Sequence, residues 1–324
     1  MTAAVEEKTG GGGVVVPTQV GSNWDRFRQA LDTYAGVGGV LIVLCIYLSI
    51  TQDAFMTWTN WLIILEANAV VLVVAVGLTF VLLNGGIDLS LGGLMALTSV
   101  TMSELITGGW STGLAIAVVI VGAALLGLMN GLLIGKVGLS FLVVTLGTGS
   151  AFRGIAQVRT AGQTQSLFEV DLILRINEGE LWGVPWLVWI SLVILLVGIL
   201  VLRYTGFGRM VYASGGNREA ARLAGINVTA VAVSVFVIAG CLAGLAAVMD
   251  SSRLLAASPT ASTGIELTAA AAVLLGGTSF MGGRGTLLGT LLGVLFLGVL
   301  SNGITLQRSL SSSSSNVTSS RKIP

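Results

Sequence analysis

Apolar residues in this chain fall into long runs, not into the alternating or one-sided patterns of a water-soluble core. The runs predict helices at about 35–51, 61–83, 89–107, 113–135, 139–160, 181–202, 229–250, 265–281 and 286–306. A membrane span needs about 20 predominantly apolar residues, and several of these runs meet that length. The expected fold class is all-α, a polytopic transmembrane helical bundle of about nine helices occupying 34–306. Three stretches stand outside it. Residues 1–33 are polar and glycine-rich, and read as a cytoplasmic N-terminal segment without a secretory signal. The stretch 161–180 carries Glu169, Asp171, Arg175, Glu178 and Glu180, and reads as an extramembrane loop. Residues 307–324 contain five serines at 311–315, a low-complexity run that can neither span lipid nor pack a core.

Composition strengthens this picture. The 324 residues are 54% hydrophobic and 10% charged, against about 25% charged in soluble domains, so a water-facing surface cannot be covered. Forty-five glycines suit helices whose backbones approach closely. The complete lack of histidine excludes His-bearing zinc sites, Ser–His–Asp triads and haem–His ligation. Cys45 and Cys241 read as small buried hydrophobes. No GxxxxGK[ST] motif occurs: Gly135-Lys136 is followed by Val137, and Gly131 is one residue too close. The chain is therefore expected to be no enzyme, to bind no cofactor or metal, and to leave any ATP hydrolysis to another subunit. A net charge of +1 gives no reason to expect nucleic acid.

Basic residues set the orientation. With a cytoplasmic N-terminus, the inner segments hold Lys8, Arg26, Arg28, Lys136, Arg203, Arg209, Arg218, Arg222 and Arg284. Outer loops 52–60 and 108–112 then hold no Lys or Arg, and Arg253 is the minor exception. Trp58, Trp61, Trp182, Trp186 and Trp189 cluster at predicted span ends, as an interfacial belt would. The tail fits badly. Nine spans leave residue 307 outside, yet Arg308, Arg321 and Lys322 follow, so a tenth, missing helix and an aberrant end are expected.

Three segments carry candidate chemistry. Asn217 can cap a helix over Arg218-Glu219-Ala220-Ala221-Arg222-Leu223-Ala224, with Glu219 in the first turn and Gly225 as its stop. This predicts about two turns on the inner face, where paired alanines admit a partner and Arg209 and Arg222 offer charged anchors; an ordinary solvated loop helix is the alternative. Asn84-Gly85-Gly86-Ile87-Asp88-Leu89-Ser90 joins two apolar runs. It reads either as an inner-face turn with Asp88 at a helix start or as a broken helix lining a pathway. Gly276-Gly277-Thr278-Ser279 through Gly285 joins the last two runs, and Gly285, Gly289 and Gly293 predict a small-residue packing stripe. Glu66, Asn68, Asn130, Glu266 and Asn302 are polar residues in or beside spans. They are pathway candidates, with Asn84 and Asp88, or simple interhelical hydrogen-bonding groups.

At these residues the chain resembles a known family, the permease subunits of ribose-, xylose- and galactose-type bacterial ABC importers, which include autoinducer-2 permeases. The matching stretches are Gly85-Gly86-Ile87-Asp88-Leu89-Ser90, Phe141–Thr148 with Arg153-Gly154, Gly206-Phe207-Gly208-Arg209, Gly215-Gly216-Asn217 with Glu219-Ala220-Ala221, Gly225-Ile226, and Gly276-Gly277-Thr278-Ser279 with Gly282-Gly283. The resemblance implies a permease that pairs with a second permease copy and docks two ABC ATPase subunits from the cytoplasm. It implies a periplasmic or lipid-anchored sugar-binding protein outside, and alternating access in bacterial inner-membrane lipid. It also implies that Gly206–Gly225 is the ATPase-coupling segment, and that a further helix normally follows Asn302-Gly303. The rivals are an ion-coupled secondary transporter, relying on Asp88 and Glu266, and an ABC permease for branched-chain amino acids or autoinducer-2.

Overall fold

The computed structural model describes residues 23–320, with side chains described from 36 to 308. The helices are α1 (Asn23–Thr51), α2 (Trp58–Leu83), α3 (Leu91–Thr107), α4 (Thr112–Gly135), α5 (Phe141–Thr160), α6 (Asp171–Glu178), α7 (Trp186–Tyr204), α8 (Gly206–Gly216), α9 (Arg218–Leu223), α10 (Val228–Leu254), α11 (Ile265–Leu275) and α12 (Leu287–Ser320). Among the described residues, six helices, α2, α4, α5, α7, α10 and α12, are long and apolar enough to cross a membrane. The helical bundle expected from the hydrophobic runs is present. Its two ends are distinguished by the short helices they carry, α6 at one and α8–α9 at the other.

The apolar core centres on α2 and α10. Val73, Ala75, Leu78, Val81 and Leu82 of α2 and Val235, Phe236, Ala239 and Ala243 of α10 are fully or almost fully buried. Glycines set the crossings, because a methyl group would meet backbone that cannot swing aside. A Cβ on Gly127 of α4 would lie 2.4 Å from the Phe236 carbonyl oxygen, and one on Gly240 2.6 Å from that of Ala123. A Cβ on Gly93 of α3 would lie 2.1 Å from the Gly149 carbonyl oxygen of α5. Gly93→Ala is therefore expected to lower the thermal stability of the detergent-solubilised protein, while Gly122→Ala on α4, which meets open space, leaves it unchanged.

Several expectations need correction. The predicted span 265–281 is an 11-residue helix, α11, about 16 Å long at 1.5 Å per residue, or half a bilayer core. It stops at Gly276 because the chain turns there through Gly277, Gly282 and Gly283, all at positive φ. The predicted span 89–107 begins as helix only at Leu91; Ile87, Asp88 and Ser90 before it are buried but not helical. The span predicted from 181 starts at Trp186, after a hairpin of β2 (Glu180–Leu181) and β3 (Val184–Pro185). Its two turn residues, Trp182 and Gly183, both have positive φ, the geometry of a two-residue hairpin turn. Of the glycine stripe, Gly289 and Gly293 do pack α12 on α11, but Gly285 lies in the turn before α12. The helix α12 also runs past 306 to Ser320. The two cysteines are free and half-buried, not fully buried.

The stretch 161–180 is more ordered than a polar loop. The strand β1 (Gln165–Ser166) pairs antiparallel with β4 (Ala256–Ala257), Gln165 opposite Ala257. The helix α6 buries Ile173 and turns its acids outward. Ser252 Oγ donates to the Ile173 carbonyl (2.9 Å), and Asn177 Nδ2 donates to the Ser252 carbonyl (2.6 Å). The polar-apolar pattern of eight residues is too short to announce such a cap, because α10 supplies its binding surface.

Candidate functional site

The helix α9 forms where its caps predict. Asn217 Oδ1 accepts from the Ala220 N–H at 2.9 Å, and Gly225, at φ +83°, closes the other end. Arg222 and Glu219 pair across one turn at 2.9 Å, both exposed. The two alanines are not equivalent. Ala220 is exposed, whereas Ala221 is 4% exposed and seats the helix on the bundle, so only Ala220 is open to a partner. Leu223, 79% exposed, went unnoticed in the sequence; an apolar residue ending a six-residue helix is the signal that could have found it. Arg209 lies exposed on α8, itself capped by the Thr205 hydroxyl accepting from the Gly208 N–H (3.1 Å).

A glycine junction ties these two helices to the core. The Gly283 N–H donates to the Leu83 carbonyl at the end of α2 (2.9 Å). Tyr212 Oη of α8 donates to the Gly285 carbonyl (2.9 Å). Gly215 sits so close that its Cβ would fall 1.8 Å from the Leu83 oxygen. The C-terminal part of α8 is thus held directly against the end of α2 and the turn between α11 and α12.

The pathway candidates do not gather in one place. Asn84 ends α2, its N–H donating to the Phe80 and Val81 carbonyls at 3.2 Å each. Asp88 is 1% exposed and turned into the bundle. Its Oδ1 accepts from the Ser90 N–H (2.9 Å) and the Ser90 hydroxyl (2.5 Å), and that hydroxyl in turn accepts from Asn130 Nδ2 of α4 (2.9 Å). Asp88 and Asn130 therefore share one buried network through Ser90, to which the sequence pattern assigned no role of its own. Asn302 of α12 exchanges two hydrogen bonds with Asn60 of α2, at 2.8 and 3.2 Å. Half-buried Asn68 donates to the Ile64 carbonyl (2.7 Å), and Glu66 is half-buried on the same helix. Glu266, in the first turn of α11, stands apart: its Oε2 is buried without a hydrogen-bond partner.

Two adjoining cavities line the half of the bundle nearer α6. One, of about 200 Å³, is bordered by Asp250, Arg253, Ser262, Thr263 and Thr268; the other, of about 340 Å³, by Asn68, Ser301, Asn302 and Thr305. Ala67, Val71 and Thr268 border both, making one groove in which hydroxyls and amides are set among apolar side chains such as Ile64, Val70 and Leu297. Arg253, the misfit of the charge pattern, pairs with Asp250 (3.1 Å), and Ser262 donates to the same carboxylate (3.2 Å). Arg153 of α5 donates to the Thr263 hydroxyl at the groove's rim. Among the described residues no group of acids and cysteines could hold a metal ion.

A helical bundle with broken spans, a polar groove inside it and helices laid across one end has the construction of a membrane permease. The family described as the permease component of branched-chain amino acid transport systems matches residues 60–318. A ribose import permease protein of Bacillus subtilis is 41% identical over 286 residues, 88% of this chain and 87% of that protein. Its counterpart in Haemophilus influenzae is 39% identical over 269 residues, 82% and 83% of the two chains. A D-allose transport system permease protein of Escherichia coli is 35% identical over 283 residues, 87% and 86%. No solved structure matches the chain. The chain belongs to this family of transport-system permease components, as a multi-pass membrane subunit and not an enzyme.

Proposed function

We propose that this chain is the permease subunit of an ATP-binding-cassette importer that moves a monosaccharide of the ribose, allose or arabinose kind into the cytoplasm. The observation that carries this reading is the extended identity to permeases named for ribose import. The hydroxyls and amides set among the groove's apolar walls suit a sugar, which has both hydroxyls and an apolar ring face. ATP is hydrolysed on two partner subunits, and alternating access follows from their closure.

The α9 end is cytoplasmic in this reading, and with it the N-terminus. Lys136, Arg203, Arg209, Arg218, Arg222 and Arg284 gather there, as the positive-inside rule requires. The ATPases dock on α9 through Ala220, Leu223, Arg209 and the Glu219–Arg222 pair. At the other end, the exposed acids Glu169, Asp171, Glu178 and Glu180 around α6 face the sugar-binding protein. A second permease copy covers α5. Its mean hydropathy of 1.2 is well below the 2.0–2.5 of the other five spans, and Gly147, Ser150, Ala151 and Gln157 are exposed on it. These small and polar residues lie among exposed Leu142, Val143, Leu146, Ile155 and Val158, a mixture suited to close helix packing.

The coupling role separates the two alanines. Ala220→Arg is expected to cut ATP-dependent uptake at least tenfold while leaving membrane insertion and melting temperature unchanged, because the site is exposed. Ala221→Arg, at the buried face, is expected to lower the melting temperature as well. Uptake assays with ATP depletion and with collapse of the ion gradient, run beside thermal unfolding, check both. Normal ATPase binding and uptake in Ala220→Arg would remove α9 as the docking helix. Uptake that follows the ion gradient and ignores ATP would remove the importer reading.

A further inference from the structure

The chain contains one pentapeptide pattern twice. Gly86-Ile87-Asp88-Leu89-Ser90 and Gly264-Ile265-Glu266-Leu267-Thr268 agree in glycine, isoleucine, acid, leucine and hydroxyl at the same five positions. The structure uses the two copies in opposite directions. The first follows α2, enters the bundle from the α9 end, and leads into α3, which finishes at the α6 end. The second follows α10, enters from the α6 end past β4, and begins α11, which runs back toward the α9 end. Their helices meet first turn to first turn. A Cβ on Gly92 of α3 would lie 2.0 Å from Glu266 Oε2 and 2.8 Å from the Ser262 carbonyl oxygen. The neighbouring residue Gly93 packs on Gly149, near the middle of α5, so the meeting point lies near mid-depth in the bundle. Interrupted spans related by inversion and converging at mid-depth are where transporters place substrate sites.

The copies are in different states. Asp88 is closed on Ser90, and through it on Asn130. Thr268, the counterpart of Ser90, turns its hydroxyl back to the Gly264 carbonyl (3.2 Å) instead of to the acid. Glu266 is left with one carboxylate oxygen buried and unpartnered. An acceptor so placed is costly unless something donates to it. Thr268, Ile265, Ser262 and Thr263 border the smaller cavity of the groove, and Glu266 lies behind that wall, outside the lining, with its Oε2 against Gly92.

We propose that Glu266 is the carboxylate that accepts hydrogen bonds from substrate hydroxyls as the sugar passes mid-membrane, and that Asp88, its inverted counterpart, is a structural acid. This rests on the sugar-importer reading. An isosteric change isolates the charge: in cells expressing the full chain with its ATPase and binding-protein partners, Glu266→Gln is expected to lower maximal ribose uptake at least tenfold, with Glu266→Ala lower still. The apparent KM, set by the binding protein, stays unchanged, and thermal unfolding of the purified chain stays level or rises. Gly92→Ala, which drives a methyl group into the carboxylate and against the Ser262 carbonyl oxygen, is expected to lower uptake and melting temperature together, and is the packing control for the Glu266 variants. Wild-type uptake rates in both Glu266 variants, or rates that fall only in step with the melting temperature, would overturn the role of Glu266. Failure of the unmodified chain to take up ribose, allose and arabinose would instead overturn the sugar reading.

Discussion

Gly215→Ala is expected to abolish uptake and to lower the melting temperature of the purified chain, although it adds a single methyl group. That methyl would sit 1.8 Å from the Leu83 carbonyl oxygen and 2.8 Å from the Gly283 nitrogen. Both are backbone atoms, and they are already bonded to each other at 2.9 Å, so neither can turn away as a side-chain tip could. The junction has no slack elsewhere: a Cβ on Gly282 would meet the Gly85 nitrogen at 2.8 Å, and one on Gly283 the Gly216 Cα at 2.5 Å. Overpacking of a tight contact costs about 1–3 kcal/mol and occasionally more. The functional loss should exceed that figure, because α8 and α9 reach α2 through this contact. Thermal unfolding in detergent with parallel uptake measurements checks it. Wild-type values in both would show that the three backbones are free to separate.

Asp88→Ala is expected to produce the largest loss of stability among changes to the polar residues, with Asp88→Asn much milder. The carboxylate takes the Ser90 N–H at 2.9 Å and the Ser90 hydroxyl at 2.5 Å, all within the buried interior. Alanine leaves both donors without an acceptor. Each buried donor stranded this way costs about 1–3 kcal/mol, and the Asn130 amide loses the orientation of the hydroxyl it bonds. Asparagine keeps a carbonyl oxygen in place of Oδ1 and can accept from both. A fall in melting temperature of roughly 5–10 °C for alanine, and less than half that for asparagine, is the outcome to measure. Equal effects of the two substitutions would mean that charge, not hydrogen bonding, holds the segment.

Much of this architecture is legible in the chain itself, and the reasons are local. The runs that became α2, α4, α5, α7, α10 and α12 are apolar over enough residues that no other structure could bury their backbones in lipid. The caps of α9 were equally readable, since Asn217 and Gly225 act on groups within a few residues of themselves. The half-length of α11 was not readable, because Gly276 to Gly285 could as well have continued a span or ended one. Only contact with Gly289, Gly85 and Gly215 fixes the turn. The amphipathic α6 was missed for a related reason: its partner Ser252 lies 79 residues from Ile173 in sequence.

The sequence by itself determined that this protein is a helical membrane bundle without a nucleotide-binding loop, and that one short capped helix lies on the basic side. Those are matters of composition, run length and near-neighbour capping. The tertiary structure decided which polar residues meet. It joined Asp88 to Asn130 and Asn302 to Asn60, buried Ala221 while exposing Ala220, and set Glu266 alone against Gly92. Hydrogen bonds and close backbone approach act over a few ångströms in space, and separation along the chain says little about which residues come that near.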